Sequence, residues 1–341
     1  MKILYLGENS PESTSWHRSC ALRRLGHEVS VWNPNDFIPG QERIPFFSSF
    51  NVRTGFRLVA GIVASRLRDR LEGEEWDLVW VDCGPQISPS FYRWLRKRGR
   101  PVINYMTDNP FQKRDYRKWD LYIRSLPLHD LTVLPRLENV AQAQAAGAQN
   151  VMRVFFSYDP VAHAPSEGTA SVKQNDVIFV GSWMPERGAF AVKLLNAGLA
   201  LKIVGNAWPR SPEWKILKPH WLSGSVYGKS YVEAIESSRI AIGLLSKGNR
   251  DLHTQRSVEI PFIGGGVFCA ERTAEHTQMY KEGNEAVFWD SPEECAEVCL
   301  KLLADPERCS RMAAAARARV IDLKLSNDEV VKGILEKVSG G

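Results

Sequence analysis

The most informative stretch of this sequence reads NRDLHTQRSVEIPFIGGGV and spans residues 249–267. Within it, Asp251 and Glu259 flank Arg256, and three glycines follow directly before an apolar segment. Carboxylates accept hydrogen bonds from sugar and ribose hydroxyls, a guanidinium binds phosphate oxygens, and glycine lets backbone N–H groups approach an anion. This grouping fits a nucleotide that carries a sugar. A helix with solvated charges that ends at a glycine turn explains the same stretch equally well.

Length and composition narrow the class of protein. A chain of 341 residues predicts two domains, because single cores seldom grow past about 250–300 residues. The net charge of +5 is too small to indicate a nucleic-acid partner. Six cysteines include no Cys-x-x-Cys pair, and Cys295 and Cys299 share the apolar face of a predicted helix, which favours core packing over metal ligation or disulfides. No apolar run suits a signal peptide or a membrane span, so we expect a cytoplasmic protein.

Short apolar segments rich in Val, Ile, Leu and Tyr alternate with helical patterns, which predicts parallel sheets with crossover helices. A polar tract rich in Pro, Ser and Gly separates the two halves and predicts a linker. The predicted strands are Lys2–Leu6, Glu28–Trp32, Asp77–Asp82, Pro101–Tyr105, Leu131–Leu134 and Val151–Phe155 in the first half, and Asp176–Val180, Leu201–Val204, Ile240–Leu245, Gly266–Ala270 and Ala286–Trp289 in the second.

The end of the chain is predicted to be helical, with start signals at Ser291-Pro292, Asp305-Pro306 and Ser326-Asn327. The last helix carries an apolar stripe and must therefore pack against another part of the protein. The stripe consists of Val330, Val331, Ile334, Leu335 and Val338.

The two α/β halves, the linker and the helical end of the chain resemble the layout of GT-B glycosyltransferases. The second half resembles the donor domain of their retaining, nucleotide-sugar-dependent branch (group 1, family 4-like). In that branch a strand ends in Phe-Val-Gly-Arg and continues to Pro-Glu-Lys-Gly; this chain has Phe179-Val180-Gly181-Ser182, then Pro185-Glu186-Arg187-Gly188. The branch also carries Glu-x7-Glu, which Asp251 and Glu259 match in spacing. Arg256 followed by Glu259-Ile260-Pro261 and glycine is most similar to the spore-maturation (CgeB-type) group.

The resemblance implies an α/β fold of the GT-B type, with two Rossmann-like parallel-sheet domains facing a cleft and a helical C-terminal tail. It implies an acceptor-side domain over residues 1–157, a linker over 158–175, a nucleotide-sugar donor domain over 176–311, and a tail over 312–341 that packs back on the first domain. The implied reaction moves a sugar from a nucleotide diphosphate sugar to an acceptor, with retention and without a metal or other cofactor. The resemblance does not determine which nucleoside diphosphate carries the sugar: UDP, GDP or dTDP.

The same resemblance implies roles for individual residues. Arg187 and Arg256 would stabilise the charge on the leaving diphosphate, and electrostatic stabilisation of this kind is worth ~3–4 kcal/mol per well-placed donor. Glu259 would bind the ribose, and Asp251 the hydroxyls of the transferred sugar. Gly181 precedes Ser182, which stands where the family has an arginine, and Arg256 can supply that missing cation.

Other candidates lie at the ends of predicted strands or beside the opening stretch, and each has a plain structural alternative. Asn206 and Tyr227 lie where the branch usually holds the base, although Tyr227 also suits ordinary packing. His253 could contact sugar or phosphate, or be a loop residue. Gly7 could bring backbone donors near phosphate or acceptor, but it lacks the dinucleotide fingerprint. His17 and Asp108 are candidates for contact with acceptor or sugar; a surface histidine and a turn-forming Asp-Asn-Pro are the alternatives.

Two basic and aromatic tracts, around residues 53–70 and 91–119, suit either solvated helix faces or contact with an anionic partner. They leave a glycan, a lipid-linked acceptor or a protein acceptor open, together with peripheral contact at the inner face of the membrane. Two other functions also remain open. A sugar-nucleotide epimerase shares the two-domain layout, and a non-catalytic nucleotide-sugar-binding module would explain Ser182 and Asp251, which depart from the family pattern.

Overall fold

The structure is a computed structural model that describes residues 1–40, 47–166 and 173–340. The chain forms two compact units. Unit 1 comprises Met1–Phe155, Lys247–Arg250 and Asn327–Gly341, and unit 2 comprises Phe156–Ser246 and Asp251–Ser326. Part of the predicted linker, residues 167–172, lies outside the described residues.

Unit 1 is built on six parallel strands. Its elements are β1 Lys2–Leu6, α1 Thr14–Arg24, β2 Glu28–Trp32, α2 Phe47–Thr54, α3 Ala60–Leu71, β3 Leu78–Asp82, α4 Pro89–Arg96, β4 Val102–Tyr105, α5 Asp120–Ser125, β5 Leu131–Leu134, α6 Leu137–Ala145 and β6 Val151–Arg153. The strand order is β2-β1-β3-β4-β5-β6, and every pairing is parallel. Strands β3, β4 and β5 are buried along their whole length, as expected for a parallel sheet with helices on both faces.

Unit 2 repeats this architecture. Its elements are β7 Asn175–Val180, α7 Pro185–Asn196, β8 Leu201–Val204, α8 Trp214–Leu217, β9 Trp221–Ser223, α9 Gly228–Glu236, β10 Ser238–Gly243, α10 Arg256–Ile263, β11 Val267–Glu271, α11 Ala274–Met279, β12 Val287–Trp289, α12 Pro292–Leu303 and α13 Pro306–Asp322. The strand order is β12-β11-β10-β7-β8-β9, again entirely parallel. The predicted α/β class with two parallel sheets and C-terminal helices is confirmed.

Helices α12 and α13 begin at the residues that the sequence predicts. The Ser291 hydroxyl accepts a hydrogen bond from the backbone N–H of Glu294 at the start of α12 (3.1 Å). The Asp305 carboxylate does the same for Arg308 at the start of α13 (2.9 Å). Each cap satisfies one of the backbone donors that the first turn of a helix leaves open.

The last helix, α14, spans Asn327–Ser339 and belongs to unit 1. It packs against α1, and Asp328 forms an ion pair with Arg24 of that helix (2.9 Å). The unit boundaries differ from the predicted ones, because α13 runs past the predicted start of the tail at residue 312 and packs on α10 and β11 of unit 2. The segment assigned to unit 1 therefore begins at Asn327.

Candidate active site

The candidate donor site lies at the carboxyl ends of the central strands of unit 2. From β7 the sheet extends one way through β8 and β9, and the other way through β10, β11 and β12. The chain therefore leaves β7 and β10 in opposite directions, which opens a crevice at their carboxyl ends where α/β sheets bind ligands. Gly181 and Ser182 follow β7 directly, and Leu244–Ser246 follow β10.

Arg187 joins the two strand ends. It lies in the first turn of α7, and its Nη1 donates to the carbonyl of Ser182 at 2.7 Å. Its Nη2 donates to the carbonyls of Leu244 and Leu245, both at 3.4 Å. The side chain is buried, and burial together with neighbouring Arg256 lowers the pKa of Arg187. Two of its three nitrogens thus hold the crevice walls, and a direct contact with diphosphate stays a prediction.

Arg256 is the more accessible of the two arginines. It begins α10, and its Nε donates to the carbonyl of Val180 at the end of β7 (3.3 Å). Its Nη1 forms an ion pair with Glu259, and its guanidinium carbon lies 4.2 Å from the centroid of the Tyr231 ring. The side chain is 32% exposed, and the Tyr231 hydroxyl is a further hydrogen-bond neighbour of the guanidinium. Arg256 therefore presents a charged donor edge at the crevice.

Glu259 lies behind Arg256 and is only 2% exposed. Its Oε2 accepts hydrogen bonds from Arg256 and from the Tyr231 hydroxyl (3.1 Å), and its Oε1 lies 3.6 Å from Nε2 of His163. Burial alone would raise the pKa of this carboxyl, but Arg256, His163 and Tyr231 together hold that pKa below its usual value. The predicted contact with ribose would have to compete with this buried network.

Asp251 and His253 lie on the loop before α10. Asp251 is buried, its backbone N–H donates to the carbonyl of Ser246 (3.3 Å), and its charge acts on Arg187. His253 is buried as well: its Nε2 accepts a hydrogen bond from the backbone N–H of Phe156 (2.9 Å), and its Nδ1 pairs with Glu275. Both ring nitrogens of His253 are engaged inside unit 2, so the predicted contact with sugar or phosphate would require breaking one of these bonds.

The loops after β7 and β8 bring the other donor-side candidates close together. The Gly181 carbonyl accepts a hydrogen bond from the Trp208 indole (2.9 Å), and a Cβ added at Gly205 would overlap that same carbonyl. The side-chain oxygen of Asn206 accepts from the backbone N–H of Ser225 (3.0 Å). Tyr227, at the start of α9, is 54% exposed and thus free to stack on a flat ligand.

The triple glycine follows the end of a helix, as one of the two explanations offered by the sequence expects. A Cβ added at Gly265 would overlap the Cα of Glu236 in α9, and the Gly265 carbonyl accepts a hydrogen bond from Lys173. Gly264 ends α10 in the left-handed conformation, with φ of 75°. Close packing against α9 therefore accounts for the glycine at position 265, and the left-handed end of α10 accounts for the glycine at position 264.

The three unit 1 candidates are placed as follows. His17 lies in α1 at an intermediate exposure, with its Nε2 3.0 Å from the Pro11 carbonyl oxygen. Asp108 follows β4 and pairs with Lys118 at 3.3 Å. Gly7 follows β1, and a Cβ there would overlap the Ser15 hydroxyl and come within 2.9 Å of Asp82. Gly7 thus allows close packing at the end of β1.

A buried charged cluster at this same end of the unit 1 sheet was not predicted. Arg18 donates from Nε and Nη2 to both carboxylate oxygens of Asp82, at 2.7 and 2.9 Å. The Tyr5 hydroxyl donates to the same carboxylate (2.7 Å), and the Arg18 guanidinium lies 4.4 Å from the Tyr105 ring centroid. Asp82 ending an otherwise apolar strand was the available signal, because a buried carboxylate requires a cationic or hydrogen-bonding partner.

Three buried cysteines of unit 2 bring their sulfur atoms close together. Among the residues that the structure describes, one group of at least three His, Cys, Asp or Glu side chains has all its possible ligand atoms within 4.8 Å of one another. The group consists of Cys269, Cys295 and Cys299. The Cys269 sulfur lies 3.9 Å from that of Cys295 and 3.7 Å from that of Cys299. The three side chains belong to the hydrophobic core of unit 2 together with Val267 and Leu302, as the prediction of core packing expects.

The second half of the chain matches a known family. A family model described as "Glycosyl transferase-like" matches residues 187–335, which include Arg187, Arg256 and Glu259. The spore protein CgeB of Bacillus subtilis is 21% identical over 154 residues, which cover 44% of this chain and 46% of that protein. The match thus spans about half the length of this curated relative.

Solved structures resemble the whole chain. Sucrose-phosphate synthase from Thermosynechococcus elongatus gives a TM-score of 0.73 at 10% identity, covering 100% of this chain and 98% of that one. Anabaena HepE, solved in complex with UDP-glucose, gives 0.66 at 12% identity over 100% of both chains. These solved structures thus share the fold of this chain, and the match to the glycosyl transferase-like family model covers residues 187–335. None of the helices in the described part of the chain combines the length and the apolar run that a membrane crossing requires.

Proposed function

We propose that this chain transfers a sugar from a nucleoside diphosphate sugar to an acceptor, with retention of anomeric configuration and without a metal or other cofactor. The observation that carries the proposal is Arg256, which presents a charged donor edge at the carboxyl end of β7. It does so within the half of the chain that matches the glycosyl transferase-like family. The relative HepE was solved with UDP-glucose, which makes a UDP-sugar the first donor to test.

The proposed chemistry breaks the bond between the anomeric carbon and the diphosphate oxygen and forms one between that carbon and an acceptor oxygen. The bonding electrons of the broken bond go to the departing diphosphate oxygen, and that oxygen takes up the proton that the acceptor hydroxyl gives up. Arg256 donates to the diphosphate oxygens as their charge grows, and Arg187 adds positive potential from behind the crevice wall. A preorganised donor of this kind stabilises a transition state by ~3–4 kcal/mol. Within the proposal, Asp251 orients the sugar, and His17 and Asp108 contact the acceptor.

Calorimetry with UDP, GDP and dTDP tests the donor class, followed by transfer assays with the matching sugar nucleotides. We expect one diphosphate to bind and Arg256→Ala to weaken it by about 10- to 100-fold, because a hydrogen bond to a charged group is lost. Arg311→Ala is the matched control, since that arginine lies on the exposed face of α13 and is 68% exposed. Equal losses in both variants would show that Arg256 contributes only general charge.

The two alternative functions have distinct outcomes in the same assays. An epimerase would convert the sugar nucleotide into an isomer that keeps its diphosphate, with no acceptor added. A binding module would bind the diphosphate and release no free nucleotide on prolonged incubation with candidate acceptors. Release of the nucleoside diphosphate together with a glycosylated product excludes both.

The acceptor proposal is a lipid-linked or anionic glycan met at the inner face of a membrane, by a protein that works in the cytoplasm. Unit 1 exposes Leu58 (66%) and Tyr116 (67%), and the Arg53 guanidinium lies 5.4 Å from the Tyr116 ring centroid. Apolar side chains beside arginines bind anionic membrane surfaces. We expect flotation with phosphatidylglycerol vesicles but not with phosphatidylcholine vesicles, and Leu58→Glu to abolish it. Flotation that Leu58→Glu leaves unchanged would exclude this surface.

A further inference from the structure

We infer that helix α11 positions the donor loop, which we define as residues 251–257, and that Thr273, Glu275 and His276 are its positioning residues. The donor loop begins with Asp251 and has Arg256 next to its other end. The inference therefore deepens the proposed function and rests on it. The three side chains act through the loop and not on the substrate.

The first contact lies at the start of the donor loop. The Thr273 hydroxyl donates to the carbonyl of Leu252, the residue after Asp251, at 2.6 Å. The same oxygen accepts a hydrogen bond from the backbone N–H of His276 (3.0 Å) and caps α11. Because one hydroxyl both starts the helix and holds the loop, the position of Leu252 follows that of α11.

The second contact fixes the orientation of His253. Its Nε2 accepts a hydrogen bond from the backbone N–H of Phe156 (2.9 Å), and a ring nitrogen that accepts carries no proton. The ring is therefore neutral, and its one N–H is at Nδ1, which donates to the Glu275 carboxylate. Both partners are buried, so α11 orients this ring without the help of solvent.

The third contact is a directed chain of hydrogen bonds that ends beside Arg256. Burial lowers the pKa of His276 to about 4, so its ring is neutral at neutral pH. Its Nδ1 donates to the carbonyl of Glu271 (2.7 Å), and its Nε2 therefore accepts from the Ser257 hydroxyl (2.8 Å). The Ser257 oxygen accepts in turn from the backbone N–H of Thr254 (2.9 Å). Each group has one direction available, which sets the loop at the start of α10.

The far end of α11 contacts the same segment. The Tyr280 hydroxyl donates to the Ser257 carbonyl (2.7 Å), and the His276 ring stacks on Phe288 with the ring planes 7° apart. A buried polar network with all partners in place holds a single geometry. A misplacement of about 1 Å at a reacting centre can lower a rate by ~100-fold. We therefore expect transfer to depend on this network beyond its contribution to stability.

Two matched pairs of variants test the inference in the full-length protein. Thr273→Val removes the hydroxyl and keeps the shape of the side chain, whereas Thr273→Ser keeps the hydroxyl. His276→Phe removes the hydrogen bonds of a buried histidine and keeps a ring beside Phe288, and His129→Phe makes the same change at a buried histidine of unit 1. Thr273 is partly exposed, so its pair of variants decides the question if His276→Phe does not fold.

Hydrogen exchange with mass spectrometry measures how firmly the loop is held, and transfer assays with UDP-glucose measure the reaction. If the wild type uses another sugar nucleotide, that donor replaces UDP-glucose. We expect Thr273→Val and His276→Phe to exchange faster in residues 251–257 and to lower kcat/KM by about 10- to 100-fold, at a temperature where each variant is folded. Thr273→Ser and His129→Phe should match the wild type in both measurements.

Three results would overturn the inference. Unchanged exchange in residues 251–257 of both Thr273→Val and His276→Phe would show that the loop is held without α11. Faster exchange with an unchanged kcat/KM would show that this hold does not serve the reaction, and an equal loss of kcat/KM in His129→Phe would assign the effect to stability. If the wild type transfers sugar from no donor tested, the proposed function itself fails, whereas the exchange measurement still decides whether α11 holds the loop.

Discussion

Ile334 tests how the final helix is joined to unit 1. It lies in the middle of α14, is fully buried, and packs with Val331 in the hydrophobic cluster that also contains Ile3 and Leu22. Ile334→Ala removes three carbon atoms from this cluster, and truncations of this kind cost ~2–5 kcal/mol. For a domain of 150–250 residues, each kcal/mol lowers the melting temperature by ~2–4 °C, so we expect a decrease of ~4–20 °C.

Calorimetry measures the loss of stability, and hydrogen exchange with mass spectrometry locates it. Protection should decrease in β1 and α1 of unit 1, because these elements pack on α14, and should persist in β7 and α10 of unit 2. Glu336→Ala is the control on the same helix, since its side chain is exposed. A change in stability below ~0.5 kcal/mol corresponds to a shift in melting temperature of only about 1 °C. A variant that melts within about 1 °C of the wild type would therefore refute the packing described for α14.

Three further predictions follow from burial and from the sequence. Gly265→Ala should lower the free energy of unfolding by ~1–3 kcal/mol, because its Cβ would overlap the Cα of Glu236. Gly266→Ala should lower it less, because the nearest neighbour of its Cβ is an oxygen at 3.2 Å. Urea unfolding of the two variants compares these losses. Burial lowers the pKa of His129 from 6.5 to about 3. Between these two pH values the unfolded chain binds a proton on His129 and the folded chain does not. The free energy of unfolding should therefore decrease as the pH falls through this range, by up to ~1.4 kcal/mol per pH unit. His129→Gln should flatten this dependence in urea unfolding at a series of pH values. Excess EDTA should leave transfer activity unchanged, and a loss that Mn²⁺ or Mg²⁺ restores would contradict the metal-free proposal.

Most of the fold could be predicted from the sequence because buried parallel strands are short, apolar and regularly separated by helices. All eleven predicted strands are present, with ends that differ by at most two residues. Strand β9, Trp221–Ser223, was missed because it lies at the edge of the sheet, and an edge strand with exposed Leu222 has no continuous apolar run. Its existence depends on pairing with β8, which is a tertiary contact.

The site was predicted less completely, and the reason is that sequence spacing shows which residues share a loop but not which atoms meet. Arg256 and Glu259 are both predicted to contact the nucleotide, which stays a prediction; the sequence did not indicate that they also form an ion pair with each other. His253 was a candidate for contact with sugar or phosphate because it lies between charged residues in the sequence. Its hydrogen-bond partners are Phe156 and Glu275, which are far away in the sequence. The same holds for Arg18, whose partner Asp82 lies 64 residues away.

Unit 1 is assembled from distant parts of the chain, and this has a consequence for biosynthesis. Helix α14 leaves the ribosome only after all of unit 2 has been made, so a nascent unit 1 lacks the helix that covers Ile3 and Leu22. Unit 2 can therefore complete its core first, although its sequence comes later. A chain whose synthesis stops before Asn327 keeps an apolar surface uncovered, which chaperones and proteases recognise. The position of α14 thus makes completion of the first sheet domain depend on translation through the whole of unit 2.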